Sequence, residues 1–273
     1  MPELAELEVL RREIDARVLG KEVEEVVVRV SGKSDIAGRQ LLPLLHGAKV
    51  LRANRRGKVL TVEFSGDLAM AVHLMLIGQV RLVPREDISK GGNVFALAFS
   101  DGGALEVTQV ALKNVALCKK GDLGRLPLIA PQGIDAFDHA LTVESVTELV
   151  RSKRGSVKAL LTDQSLIAGI GNTYADEILF AARINPQREA RSLSDAEAVA
   201  LYNQMKEVLG RAIELGGSSE EKSFRLDGTP GHAQEFFAVH HRAGQPCPAC
   251  KTPIQQITLG GRSTYFCPSC QQA

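Results

Sequence analysis

Three features of the 273-residue sequence predict an α+β fold built from successive segments rather than one mixed core. Residues 3–19 have helical periodicity, with Leu7, Leu10, Ile14 and Val18 on one face. Residues 23–118 then alternate or run as short apolar stretches, the texture of antiparallel β structure. From residue 143 the period returns to that of a helix, and the last 27 residues hold four of the five cysteines. Apolar residues make up 44% and charged residues 24%, the composition of an ordinary soluble domain. No apolar run approaches the roughly 20 residues needed to cross a bilayer. The acidic start lacks the layout of a signal peptide, so the expected location is the cytoplasm, with no membrane partner.

The elements follow in order. The first turn, "MPELAE", places Pro2 where a missing N–H costs nothing, and Glu3 and Glu6 at the positive end of the helix dipole. Gly20 ends the pattern. Val26, Val28 and Val30 alternate, as do Leu60, Val62 and Phe64. "AMAVHLML", "QVRLVP" and "NVFALAF" are further strand runs, and Asp101-Gly102-Gly103 reads as a hairpin turn. Residues 119–142 are rich in Gly, Pro and Asp and read as a linker. "TVESVTELVRS", "SVKALLTD" and "TYADEILFAARI" are short helices. Ser194 and Glu197 form a capping box that opens a long helix through Leu201, Met205, Val208, Leu209 and Ile213, closed by Gly216-Gly217. Residues 216–234 are polar and Gly-rich and read as a mobile loop.

Two motifs carry chemistry by themselves. Cys247-x-x-Cys250 and Cys267-x-x-Cys270, separated by sixteen residues, have the spacing of a zinc ribbon. Four protein thiolates leave no open position, so one structural Zn²⁺ is expected. Between the pairs, Gly260-Gly261 forms a hairpin tip that presents Arg262 to phosphates. In "LLTDQSLIAGIGNTYADEILFAARINP", a glycine connector joins two helices. The N–H groups at Gly171–Thr173 open the second helix, a natural phosphate position to which Asn172 adds a side-chain donor. Glycines between helices are also common packing devices. The basic clusters 52–58, 119–125 and 151–158 raise the prospect of a nucleic-acid groove in a chain of net charge +1.

These stretches resemble the formamidopyrimidine-DNA glycosylase / endonuclease VIII family. "QSLIAGIGNTYADEILFAARINP" is similar to its helix–two-turn–helix motif, "GQPCPACKTPIQQITLGGRSTYFCPSC" to its zinc finger, and "MPELAELE" to its N-terminal "PELPEVE" signature. The "PEL" opening resembles the formamidopyrimidine branch. The resemblance implies an N-terminal antiparallel β-sandwich with its helix (1–118), a linker (119–142), a helix–two-turn–helix domain with the mobile loop (143–235) and a zinc finger (236–273). It implies a monomer with damaged duplex DNA in a cleft between the β and helical domains, nucleoid-associated when bound.

The resemblance also gives the first turn a second meaning. With Met1 removed, Pro2 would carry a secondary amine able to attack C1′ of a deoxyribose and form a Schiff base. An N-terminal amine titrates below lysine, so more of it is neutral near pH 7. Glu3 would serve as the adjoining acid/base, Glu6 would assist, and Lys58 in "RRGK" would hold DNA near the lesion. His73, Lys158, Asn172 and Arg262 match phosphate-binding positions. The implied activity is excision of oxidised bases, purines foremost, followed by β,δ-elimination. The chain departs from the family at the residues that fill the gap left by a flipped base. "HLGMSG" is here His73-Leu74-Met75-Leu76-Ile77-Gly78, and "DPRRFG" is replaced within "TQVALKNVALC". Met75, Leu76, Leu112 and Lys113 stand at the void-filling positions, and Ala5 replaces a proline. Three alternatives remain: a weak or inactive paralogue that recognises damaged or abasic DNA, a glycosylase for another lesion, and an unrelated zinc-ribbon protein lacking a two-sheet sandwich.

Overall fold

The structure, a computed structural model, describes residues 1–30, 35–219 and 224–272. The chain forms two compact units: Met1–Pro131 with Gly216–His232, and Gln132–Leu215 with Ala233–Ala273.

In the first unit, α1 (Leu4–Arg17) precedes eight strands: β1 (Val23–Arg29), β2 (Val50–Arg56), β3 (Val59–Phe64), β4 (Leu68–His73), β5 (Gln79–Pro84), β6 (Val94–Phe99), β7 (Gly103–Thr108) and β8 (Val115–Lys119). They pair into two four-stranded antiparallel sheets, ordered β1-β6-β7-β5 and β2-β3-β4-β8. The inward residues of both sheets share one core with Leu7, Leu10 and Ile14 of α1 and with Val18 just after it, all fully buried. This is the expected β-sandwich, and it excludes the unrelated zinc-ribbon reading. The β2–β3 turn consists of Gly57 and Lys58, with Arg56 opposite Val59. Gly57 has φ +55°, which a two-residue hairpin with glycine first demands. The turn fixes Lys58 at the end of the hairpin.

Residues 119–142 divide rather than link. Lys120–Arg125 is a 3₁₀ turn, and Leu123, Leu126, Leu128 and Ile129 pack against Val59 and Ala71 of the first unit. These four apolar side chains, Ile129 buried and the leucines half-buried, anchor residues 119–130, which otherwise stay exposed. Ile134–Asp135 (β9) instead pairs in parallel with Ile167–Ala168 (β10) in the second unit. The expected loop 216–234 also belongs mainly with the first unit. Phe224 and Leu226 join its core, Leu82 N donates to Leu226 O (2.9 Å), and Arg225 pairs with Glu13 at 2.7 Å. Residues 220–223 of that loop lie outside the described residues.

The second unit contains α2 (Val143–Ser152), α3 (Val157–Thr162), α4 (Asn172–Ala181), α5 (Asp195–Glu214) and the hairpin β11 (Gln255–Leu259)–β12 (Arg262–Phe266). The capping box at Ser194 and Glu197 forms as expected. The α3–α4 connector is stapled by Gln164. Its Nε2 donates to Thr162 O (3.1 Å) and Ile170 O (2.7 Å), and its Oε1 accepts from Gly169 N (3.0 Å). No helix among the described residues is long and apolar enough to cross a membrane.

Candidate active site and nucleic-acid interface

The first turn of α1 is held by its own carboxylates. Pro2, Glu3 and Glu6 are buried, while Met1 is 41% exposed. Glu6 Oε2 accepts from Glu3 N at 2.8 Å, and Oε1 accepts from Ser218 N at 2.8 Å. Both Glu6 oxygens thus fix backbone: one end of the helix, and the chain leaving α5. Gly217 lies so close that a Cβ there would sit 3.1 Å from Glu6 Cγ and Oε1. These bonds make Glu6 an anchor, while the Glu3 carboxylate is the first acid after Pro2. Were Met1 removed, a secondary amine at Pro2 beside this carboxylate would suit attack on an electrophilic carbon with local proton transfer.

Lys58 and His73 form a second group in the same unit. Val59, next to Lys58, pairs with His73 across β3 and β4. Lys58 is 7% exposed. Burial first, and then the Lys58 charge, hold His73 below the ordinary imidazole value. Met75 N donates to His73 Nδ1 at 3.1 Å, so a neutral ring keeps its proton on Nε2, the atom able to donate to an anion.

Beyond His73 the chain turns through Leu74–Gly78, closed by Gly78 N donating to Leu74 O (2.9 Å). A Cβ at Gly78 would meet Leu74 O at 2.4 Å and Val110 Cγ1 at 2.2 Å, so only glycine closes this turn. The closure exposes three successive apolar side chains, Met75 (45%), Leu76 (65%) and Ile77 (54%). Ile77 was not among the expected void-filling residues, and only the closed turn brings its exposure to view. Leu112 does not join them. It is fully buried in the sandwich core, so it is unavailable as a wedge and is withdrawn from the void-filling positions. Lys113 stands exposed on the same 3₁₀ turn, Leu112–Asn114.

The second unit collects Lys158, Asn172 and Arg262. Arg262 is exposed on the hairpin after the Gly260-Gly261 turn, and its Nη1 donates to Thr162 Oγ1 at 2.7 Å. Asn172 opens α4 and donates from Nδ2 to Ser263 O at 2.8 Å, while its buried Oδ1 has no hydrogen-bond partner among the described residues. A cleft of about 440 Å³ lies between α3 and the hairpin tip, lined by Ser156, Thr162, Gln164, Gly260 and Arg262 among others. Lys158 departs from expectation. Its side chain is 3% exposed, and its ammonium is spent on Asp176, Thr264 and Ser263, so it is not available to a phosphate in this structure. A buried lysine must be paired, and its partner Asp176 lies eighteen residues away, where nothing in the local sequence pattern announced it.

The four cysteine sulfurs lie within 4.8 Å of one another, with Cys247–Cys270 at 3.9 Å and Cys250–Cys267 at 3.4 Å. Four sulfurs at about 2.3 Å around a tetrahedral Zn²⁺ are about 3.8 Å apart, so the cluster fits that ion. It is a structural zinc site.

With this geometry in place, comparison with known proteins is decisive. The formamidopyrimidine-DNA glycosylase N-terminal domain matches residues 1–110, the H2TH domain of the same enzymes matches 132–223, and the zinc finger found in these glycosylases and isoleucyl-tRNA synthetase matches 244–273. The chain belongs to the formamidopyrimidine-DNA glycosylase family. Formamidopyrimidine-DNA glycosylase from Thermus thermophilus is 38% identical over 274 residues, covering 99% of this chain and 98% of that protein. The Lactococcus lactis family member solved with DNA containing N7-benzyl-Fapy-dG superposes with a TM-score of 0.89 at 30% identity, covering all of both chains. The same enzyme in complex with abasic-site DNA also gives 0.89 at 30% identity, covering 99% of this chain and 100% of that one. The family's three domain types thus coincide with the buried first turn, the stapled helical connector and the cysteine hairpin.

Proposed function

We propose that this protein is a DNA repair glycosylase with strand-cleaving lyase activity, acting on oxidised bases in duplex DNA. The observation that carries the reading is the buried Pro2–Glu3–Glu6 turn in a member of a glycosylase family matched over nearly its whole length. Removal of Met1 frees the Pro2 nitrogen. Its lone pair attacks C1′, the bond from C1′ to the base nitrogen breaks, and the base leaves with that electron pair and takes up the proton shed by the proline nitrogen. Glu3 supplies a proton to the opening sugar ring oxygen. The resulting iminium acidifies C2′. Loss of a C2′ proton expels the 3′ phosphate, and a second elimination expels the 5′ phosphate. Glu6 holds the turn, Lys58 and the Nε2–H of His73 bind the strand near the lesion, and Asn172 and Arg262 bind phosphates.

Flipping the base costs a few kcal/mol and leaves a gap in the stack. The exposed Met75-Leu76-Ile77 turn supports an aliphatic wedge in place of an aromatic one. With Leu112 and Lys113 standing where the family motif carries arginine and phenylalanine, discrimination of the opposite base should be weak. Borohydride reduction during reaction with abasic and oxidised-purine duplexes tests the function. A covalent protein–DNA adduct, absent from Pro2→Gly, is the expected result. Tight binding with no adduct on either duplex overturns the enzyme reading and leaves a DNA-binding paralogue.

A further inference from the structure

The second unit carries a buried charge network that the proposed chemistry does not use. Asp176, on α4, has a fully buried side chain; one oxygen accepts from Lys158 Nζ at 2.7 Å and the other from His240 Nδ1 at 3.0 Å. Lys158 donates to Asp176, to Thr264 Oγ1 at 2.8 Å and to Ser263 O at 3.2 Å. Asn172 Nδ2 donates to the same Ser263 carbonyl. Thr162 Oγ1, which accepts from Arg262, donates in turn to Lys158 O at 3.0 Å. His240 is fastened independently, because Glu177 accepts from the backbone N–H groups of Ala238, Val239 and His240 at 2.7–3.0 Å. Helices α3 and α4 and the zinc hairpin therefore meet at one peptide, Ser263, whose preceding residue is Arg262.

We propose that Asp176 is a positioning residue for phosphate binding. Through Lys158 it locks the Ser263 peptide to α3 and α4, and so fixes Arg262 in register with Asn172. The proposal rests on the reading that Arg262 and Asn172 hold DNA phosphates. A buried ion pair is a weak source of net stability, so a gain in stability alone does not account for this arrangement. Electrostatics provide a discriminating sign. Deleting a carboxylate from a DNA-binding unit should strengthen attraction to a polyanion, whereas loss of a positioning residue weakens binding.

The test measures affinity of the full-length, zinc-loaded protein for a duplex with a tetrahydrofuran abasic analogue, with zinc content and Tm recorded for every variant. Asp176→Asn should weaken binding about tenfold, equivalent to about 1.4 kcal/mol. In the Arg262→Ala background the same substitution should cost less than about twofold, because coupled sites are non-additive. Unchanged or tighter binding by Asp176→Asn, or an equal loss in both backgrounds, overturns the proposal. Should Asp176→Asn lose zinc or fail to fold, Thr264→Val removes one Lys158 partner with little change of shape. It should weaken binding about threefold only where Arg262 is present, and additive or absent effects count against the proposal in the same way. An Arg262→Ala protein that binds as tightly as the parent instead refutes the phosphate role of Arg262 itself.

Discussion

Leu76 and Leu112 are the same residue type in opposite situations, and they should respond oppositely to truncation. Leu76 is 65% exposed at the tip of a glycine-closed turn, whereas Leu112 is fully enclosed by the sandwich core. Leu112→Ala should cost about 2–5 kcal/mol of stability through lost burial and a residual cavity. Leu76→Ala should cost less than about 0.5 kcal/mol, yet slow base excision from duplex DNA, because a smaller wedge fills less of the gap. Chemical denaturation and single-turnover excision assays separate the two; equal stability losses would remove Leu76 from the interface. His73 offers a pH test. Burial and Lys58 lower its folded-state value, so its neutral form contributes stability that is complete above about 6.5 and is lost as pH falls through the lower folded value. His73→Gln should therefore show a smaller fall in Tm than the parent between about pH 6.5 and 5. A parallel decline in both proteins would contradict the assigned environment.

Among the elements, the zinc hairpin is the most exposed to a direct test. Its core is small, formed by Val239, Ile254, Tyr265 and the cysteines with few neighbours, and a structural zinc contributes folding free energy outright. Chelation should abolish DNA binding while leaving the β-sheet circular dichroism largely intact, and added Zn²⁺ should restore binding. Full affinity in the metal-free protein would contradict the account. The hairpin was also the most legible element, because cysteine spacing is a distance constraint written in one dimension. The capping box at Ser194 and the face of α1 were legible for the same reason: residues three or four apart in a helix are neighbours. The segments 119–142 and 216–234 were read from composition alone, which missed how they pack. Their leucines and phenylalanine bury against strands distant in sequence, and no local pattern encodes such a surface. Lys158 and Leu112 show the limit at single positions. A lysine within a short helix and a leucine in a connecting turn each suggest solvent or DNA until their tertiary partners are known.

At the scale of the whole molecule, the three family domain types follow one another along the chain and divide the work. The first unit carries the proposed nucleophile Pro2 with Glu3 and Glu6, and Lys58 and His73. The second carries Asn172, Arg262 and the zinc site. This division predicts that substitutions in the second unit change affinity and its salt dependence, while substitutions at the first turn abolish chemistry with binding retained. The central claim is that catalysis begins at one nitrogen, freed when Met1 is removed. The most direct measurement digests the borohydride-reduced protein–DNA adduct and identifies the modified peptide by mass spectrometry. The account predicts a peptide that begins at Pro2, lacks Met1 and carries the sugar on the proline nitrogen. An adduct on a lysine such as Lys58, or a native protein that retains Met1 and still cleaves abasic DNA, would contradict it.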